Sequence, residues 1–132
     1  MNIWHNVTKD SMGRLNAKEE LQGVLAQLSM RGHKLICADI TVDSNGWDEE
    51  TDWIQLKVVH SLQETIDFYK RLNFKYNPGF GTQMISGTVW LTNGVWLTRG
   101  EYDGSEWWEI HREPMIPAYL RTKPYYEEDG QY

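Results

Sequence analysis

Apolar residues flank two turn dipeptides between Gly87 and Arg112, a stretch that contains four of the seven tryptophans. Asn93-Gly94 and Asp103-Gly104 favour two-residue hairpin turns, because both central positions of such turns need positive φ. The segment therefore predicts a three-stranded antiparallel meander. Two-residue loops would place Leu91 opposite Trp96, Trp90 opposite Leu97, Leu97 opposite Ile110, and Arg99 opposite Trp108.

The predicted meander is apolar on both faces. One face would carry Trp90, Val95, Leu97, Trp108 and Ile110, with Arg99 stacked on Trp108 as a cation–π pair. The other would carry Val89, Leu91, Trp96, Trp107 and His111. A sheet of this kind is expected to be covered on both sides. Helices would cover one side, and a partner, a second subunit or the tail of the chain would cover the other.

Two helices are predicted upstream of the meander. A capping box at residues 16–19 and the apolar spacing that follows predict an amphipathic helix over residues 17–31, ended by Gly32. A second capping box, formed by Ser61 and Glu64, predicts another helix. Its apolar face is expected to contain Leu62, Ile66, Tyr69 and Leu72.

Two strands lie between these helices. The alternation over Lys34 to Asp43 predicts one, with Ile36, Ala38, Ile40 and Val42 on one face and Leu35, Cys37, Asp39 and Thr41 on the other. The second has Ile54, Leu56 and Val58 on a shared face. The order α-β-β-α-β-β-β predicts an α+β fold: a two-layer sandwich of two helices and an antiparallel sheet of about five strands.

The 132 residues are expected to form a single domain. Residues 1–14 would be an N-terminal arm, 15–112 the folded core, and 113–132 a tail rich in proline, tyrosine and acidic residues. Proline cannot continue a strand ladder, because it lacks the backbone donor. The tail is therefore expected to run over the surface.

Composition narrows the range of functions. The net charge of −6 disfavours direct binding to nucleic acid and suits a partner with a basic patch. No apolar run is long enough to span a membrane, and no secretory signal is recognisable, so a cytoplasmic protein is expected. The single cysteine, Cys37, excludes an internal disulfide and a cysteine-rich zinc site.

No nucleophile, phosphate-binding or dinucleotide-binding motif occurs, so a protein without enzymatic activity or cofactor is expected. Two alternatives stay open. One is a metal-dependent enzyme using His60, His111 and a carboxylate from Glu101 or Glu109. The other is a nucleotide or small-molecule binder, in which aromatic rings stack on a base and Arg99, Arg112 or Lys75 meets phosphate.

The candidate partner-binding residues are aromatic and acidic. Trp47 stands in a polar loop beside Asp48, Glu49 and Glu50, and the meander adds Trp96, Tyr102 and Trp107. Tryptophan and tyrosine provide large desolvated anchors, and acidic residues steer a basic partner. The same aromatic surface would also suit a homodimer.

Two stretches resemble known groups of proteins. His60 to Lys75, HSLQETIDFYKRLNFK, resembles a helix of the βαβββ module in the vicinal-oxygen-chelate superfamily, without implying that family's metal site. The region from Asn77 to Pro117, with GTVWLTNGVWLTRGEYDGSEWWE and the prolines after it, is similar to small uncharacterised bacteriophage and prophage proteins. This second resemblance implies a phage-encoded protein in the bacterial cytoplasm, which would bind and modulate or inhibit a host factor such as a defence or nucleic-acid-processing protein.

Overall fold

The structure is a computed structural model that describes residues 9–43, 51–79, 82–114 and 116–120. It confirms the predicted α+β class with two helices and a five-stranded antiparallel sheet. Very short strands before the first helix and after the second form an additional two-stranded sheet. The elements are β1 (Leu15–Asn16), α1 (Ala17–Ser29), β2 (Leu35–Asp43), β3 (Thr51–Leu56), α2 (Leu62–Arg71), β4 (Lys75–Tyr76), β5 (Ile85–Leu91), β6 (Val95–Tyr102), β7 (Ser105–Arg112) and a 3₁₀ turn (Ala118–Leu120).

The five-stranded sheet has the order β3-β2-β5-β6-β7, and every neighbouring pair is antiparallel. One side, here called the inner face, packs with both helices into a single core. The helices contribute their buried apolar residues, among them Leu21, Val24 and Leu28 of α1 and Phe68 of α2. The strands contribute alternate residues such as Ile40, Ile54, Val89, Leu97 and Trp108.

Side chains at the intervening strand positions form the outer face of the sheet, because successive residues of a strand point to opposite sides. Neither helix packs on this face, since the buried residues of both belong to the inner core. The outer face consists of Cys37, Asp39, Thr41, Asp43, Thr51, Trp53, Gln55, Ser86, Thr88, Trp90, Trp96, Thr98, Gly100, Tyr102, Ser105, Trp107, Glu109 and His111.

Both predicted helix starts are confirmed. The side chain of Asn16 accepts a hydrogen bond from the Glu19 amide at 3.0 Å, and Ser61 and Glu64 form a reciprocal capping box. These side chains satisfy amide groups that the first helical turn leaves without a backbone acceptor. Helix α1 ends at Ser29, two residues before the predicted end.

The predicted apolar face of α2 is wrong in part. Leu62 and Ile66 are exposed by 76% and 44%, whereas Phe68 and Leu72 are buried. At about 100° per residue, Leu62 and Ile66 lie roughly 120° and 160° around the helix from Phe68. The buried side of α2 is therefore the one that carries Phe68 and Leu72, and the first apolar residues of the helix face solvent.

The predicted strands between the helices also need two corrections. A bulge between Leu35 and Cys37 shifts the β2 register, so Leu35 packs against the core instead of sharing a face with Cys37. A bulge inserts an extra residue and reverses the alternation on one side of it. Strand β3 ends at Leu56, and Val58 lies beyond it, 66% exposed.

Candidate protein-binding face

The composition of the outer face depends on the register of the β5–β6 hairpin. Asn93 and Gly94 have positive φ as expected, at 63° and 72°. The connection nevertheless has three residues, so Trp90 pairs with Trp96 and Leu91 with Val95. The predicted pairing of Trp90 with Leu97 is therefore wrong by one residue. Because a one-residue slip exchanges the two faces of a strand, Trp90 lies outside.

The same slip moves Val89 and Leu91 of β5 to the inner face. Both are buried in the core, contrary to the predicted face that joined them with Trp96 and Trp107. The second hairpin confirms its prediction: Arg99 pairs with Trp108 across the two-residue loop formed by Asp103 and Gly104.

Tryptophan dominates the outer face. The described chain contains five of the seven tryptophans, and Trp108 alone among these five belongs to the inner face. The other four are Trp53, Trp90, Trp96 and Trp107. Trp53 is 58% exposed and Trp90 is 41% exposed. A cluster of large exposed aromatic groups on one surface is typical of an interaction site.

Fourteen of the eighteen residues of the outer face form three rows across the strands. The middle row is polar and consists of Gln55, Asp39, Thr88, Thr98 and Glu109. One flanking row contains Cys37, Trp90, Trp96 and His111. The other contains Trp53, Thr41 and Ser86 on one half of the sheet and Gly100 and Trp107 on the other. Rows two residues apart are separated by about 7 Å along the strands.

Local contacts hold several of these groups in place. The rings of Trp96 and His111 stack with centroids 5.4 Å apart and an interplanar angle of 16°. Nε2 of His111 lies 2.7 Å from the Thr98 hydroxyl. The indole of Trp107 lies over Gly100, where an added Cβ would approach its Nε1 to 2.7 Å. These contacts present rings in fixed positions, which reduces the entropy lost on binding.

The outer face is acidic. Its charged side chains in the described strands are Asp39, Asp43 and Glu109, and it has no lysine or arginine there. Asp39 accepts a hydrogen bond of 3.0 Å from the Gln55 amide, and Asp43 accepts one of 2.8 Å from the Thr51 hydroxyl. Such a surface repels phosphate groups and attracts cations.

The predicted partner-binding residues of the meander all lie on this face. Trp96 and Trp107 are half-buried, and Tyr102 at the end of β6 is 76% exposed. Trp47, Asp48, Glu49 and Glu50 lie outside the described residues. Sequence reasoning missed Trp53 and Trp90. The position of Trp53 could have been inferred from its alternation with Ile54, but that of Trp90 depends on the loop length.

The structure separates the two histidines of the metal-site alternative. His60 follows β3 at one edge of the sheet, and His111 lies in β7 at the opposite edge, with three strands between them. Nδ1 of His60 lies 2.6 Å from the carbonyl oxygen of Lys57. Within the described ranges, no group of three or more histidine, cysteine or acidic side chains is placed to hold a metal ion.

A second cluster of charged groups lies inside the core, centred on Arg99 of β6. Its side chain is 1% exposed, as are those of Glu20 and Glu106, which it contacts at 3.2 Å and 2.6 Å. The predicted stacking on Trp108 is confirmed, with the guanidinium carbon 4.9 Å from the ring centroid. Arg99 is therefore committed to internal partners and is not placed to meet phosphate.

The carboxylates of this cluster also have other partners. Glu106 accepts hydrogen bonds from the backbone amides of Met84 and Ile85, at 2.8 Å and 3.1 Å. Glu20 accepts one from the Tyr76 hydroxyl, which in turn accepts one of 2.9 Å from Arg99. Burial raises the pKa of Glu20, against the opposing effects of Arg99 and Tyr76. Burial, together with the charge of Glu20, raises the pKa of Tyr76.

This buried cluster joins α1 and β4 to the meander and has no solvent-facing group for a substrate to reach. A signal for it existed in the sequence. Glu20 lies on the side of α1 that also carries Ala17, Leu21 and Val24. Glu106 is two residues from Trp108 in β7, so both side chains lie on the same face of the strand. Charged residues at buried positions indicate an internal ion pair.

The chain was compared with protein-family models, curated proteins and solved structures. None matches. The resemblances to phage proteins and to a βαβββ module therefore stay predictions. In the part of the chain that the structure describes, no helix is both long and apolar enough to cross a membrane.

Proposed function

We propose that this protein acts without catalysis, by binding another protein through its outer face. The observation that carries the proposal is the placement of Trp53, Trp90, Trp96 and Trp107 on one surface that neither helix covers. Burying an exposed tryptophan against a partner removes a large apolar area from water, and such residues dominate binding energy at many interfaces.

Charge favours a basic partner. The carboxylates of Asp39 and Glu109 lie among the aromatic groups, and the described strands place no lysine or arginine on the same face. A basic protein surface would be steered towards this face and paired with it. The phosphate backbone of a nucleic acid would be repelled, since its recognition normally uses a basic surface.

The resemblance to phage proteins supports a more specific proposal. A phage-encoded protein of this kind would act in the cytoplasm of the bacterial host, where it would modulate or inhibit a defence or nucleic-acid-processing protein. Such targets commonly carry basic surfaces for nucleic acid. An acidic aromatic face would compete with nucleic acid for those basic surfaces, and this competition would inhibit the target.

The proposal is tested by affinity capture from bacterial lysate, with bound proteins identified by mass spectrometry. Wild-type protein is compared with a Trp96→Ala, Trp107→Ala variant and with a Leu62→Ala variant as control. Leu62 is 76% exposed on α2, away from the outer face. A Trp47→Ala variant tests the acidic loop separately.

The expected result is a host protein retained by the wild type and the Leu62 variant and lost from the double tryptophan variant. All variants are first shown to be folded by circular dichroism. Retention by the double variant would contradict the proposed surface. If the wild type captures nothing and is dimeric by light scattering, whereas the double variant is monomeric, the outer face is a homodimer interface instead.

A further inference from the structure

The acidic groups of the outer face are not randomly placed among its aromatic groups. Asp39 on β2 lies diagonally across from Trp53 on β3 and from Trp90 on β5, given the observed registers. Diagonal neighbours in a sheet are about 7–8 Å apart at their Cα atoms, within reach of large side chains. A cation above Asp39 would therefore have an indole on either side.

The opposite half of the face repeats this arrangement. Glu109 on β7 lies two residues from Trp107 and diagonally across from Trp96 on β6. Arginine and lysine side chains are stabilised both by a carboxylate and by the π face of tryptophan. Each half of the outer face thus combines the two groups that recognise a cationic side chain.

The polar residues between the two halves suit an extended backbone. Thr88 and Thr98 pair with each other between Asp39 and Glu109 in the middle row. The Thr88 hydroxyl can donate to and accept from a peptide, and the Thr98 hydroxyl, which lies 2.7 Å from Nε2 of His111, still has an acceptor lone pair. Asp39 and Glu109 are three strand spacings apart, or about 14 Å. An extended peptide covers that distance in about four residues.

We propose that the outer face binds an extended segment of a partner protein that crosses the strands and places two arginine or lysine side chains, four residues apart, over Asp39 and Glu109. This inference rests on the proposed function and specifies its partner. The first cation lies between Trp53 and Trp90, and the second between Trp96 and Trp107. The polar middle row selects an extended segment over a helix, whose residues four apart span only about 6 Å.

The test uses the full-length protein and synthetic nine-residue peptides of serine and threonine. One peptide carries arginine at positions 3 and 7. A second carries arginine at positions 3 and 4, which keeps the charge and changes the spacing, and a third carries glutamate at positions 3 and 7. Binding is measured by calorimetry and by the change in tryptophan fluorescence, at low and at physiological salt.

We expect the peptide with arginine at positions 3 and 7 to bind about tenfold more tightly than the peptide with adjacent arginines, and the glutamate peptide not to bind. Asp39→Asn and Glu109→Gln should each weaken binding about tenfold, the size of a partly desolvated charge contact. Asp67→Asn, which makes the same charge change on α2, serves as the control and should leave the affinity unchanged.

Equal affinity for the two arginine peptides would overturn the proposed spacing, and an equal effect of Asp67→Asn would show only general charge attraction. The absence of any peptide binding also overturns the inference. The experiments distinguish failure of this inference from failure of the proposed function. A host protein captured through Trp96 and Trp107 but insensitive to Asp39→Asn and Glu109→Gln would retain the interface and exclude the cationic segment.

Discussion

Trp90 on β5 lies directly opposite Trp96 on β6, and both side chains point away from the helices. This pairing joins the aromatic groups of three successive strands, because Trp96 also pairs with His111 on β7 and stacks on its ring. Cross-strand aromatic pairs stabilise a sheet by up to about 1 kcal/mol each. The pairing therefore contributes to stability while it presents the rings to solvent.

A substitution at Gly100 would move the neighbouring indole of Trp107 without replacing Trp107 itself. An added Cβ would lie 2.7 Å from Nε1 and 2.8 Å from Cε2 of Trp107, and 2.9 Å from the carboxyl carbon of Glu109. In a Gly100→Ala variant the indole of Trp107 and the carboxylate of Glu109 must shift, so we expect binding of the captured partner to weaken about tenfold. Overpacking should also lower the free energy of unfolding by about 1–3 kcal/mol.

Gly79→Ala is the matched control for this variant. An added Cβ at Gly79 would meet no atom closer than 3.9 Å. Calorimetric titration and urea unfolding of both variants provide the measurements. Unchanged partner affinity in folded Gly100→Ala would mean that the position of Trp107 is unimportant for binding.

Sequence periodicity predicted the helices and the second hairpin because each has a strong local cause. Ser61 and Glu64 satisfy each other's backbone amides, and Asp103 and Gly104 both adopt positive φ in a two-residue turn. The first hairpin has the same type of dipeptide at Asn93. Its register differs from the predicted one because Thr92 bonds outside the hairpin. The Thr92 amide donates to the carbonyl oxygen of Lys34, and the Thr92 hydroxyl donates to the carbonyl oxygen of Gly32.

Thr92 is the additional residue of the first turn, and its hydrogen bonds are made to the segment that precedes β2. The local sequence pattern around Asn93 and Gly94 contains no information about these contacts. The candidate site was predicted only in part for the same reason, since one hairpin register was correct and the other was wrong. Trp96 and Trp107 were predictable because the second hairpin sets their faces, but Trp90 was assigned to the wrong side. Alternation thus decides which residues of one regular strand share a face. Tertiary contacts decide how that strand is aligned with its neighbours, and therefore which of its aromatic residues reach the surface.

Removing the buried cation should destabilise the fold strongly. Arg99→Met would leave Glu20 and Glu106 in the core without a positive partner, and breaking a buried pair in this way typically costs about 3–5 kcal/mol. We expect the free energy of unfolding in urea at neutral pH to fall by that amount. Substituting both carboxylates with glutamine in the same variant should recover part of the loss.

Arg71→Met is the control for this experiment, because Arg71 forms an exposed ion pair of 3.3 Å with Asp52. Exposed pairs contribute less than about 1 kcal/mol. A similar loss of stability in the Arg71 and Arg99 variants would argue against a special role for the buried cluster.

Asp10 should stabilise the start of the folded core at neutral pH. Its carboxylate accepts hydrogen bonds from the backbone amides of Arg14 and Met12, each at 2.9 Å. Chiefly the Arg14 amide lowers the pKa of Asp10 to about 2, from 3.8. The folded state therefore binds this proton less readily than the unfolded state.

The stabilising effect of Asp10 is present above pH 3.8 and is lost as the pH falls towards about 2. We expect Asp10→Asn to lower the thermal unfolding temperature at pH 7 and to have progressively less effect below pH 4. Lys75, whose ammonium lies 3.4 Å from the same carboxylate, should give a smaller change when substituted with methionine. An Asp10→Asn effect that is independent of pH would contradict the assignment.

Glu20 should produce the opposite pH dependence. Burial raises its pKa above the ordinary value of 4.5, despite the neighbouring charge of Arg99 and the hydrogen bond from Tyr76. The folded state therefore retains this proton at a pH where the unfolded state has released it. Its contribution to stability is complete below pH 4.5 and declines as the pH rises through the raised pKa of the folded state.

The measurement is the free energy of unfolding in urea for the wild type and for Glu20→Gln, from pH 4 to pH 9. Because Asp10 titrates in both proteins, its effect cancels in their difference. We expect the stability of the wild type relative to Glu20→Gln to decrease as the pH rises above 4.5. A difference that stays constant across this range would mean that Glu20 has the same proton affinity in the folded and unfolded chains, and that Arg99 and Tyr76 fully offset its burial.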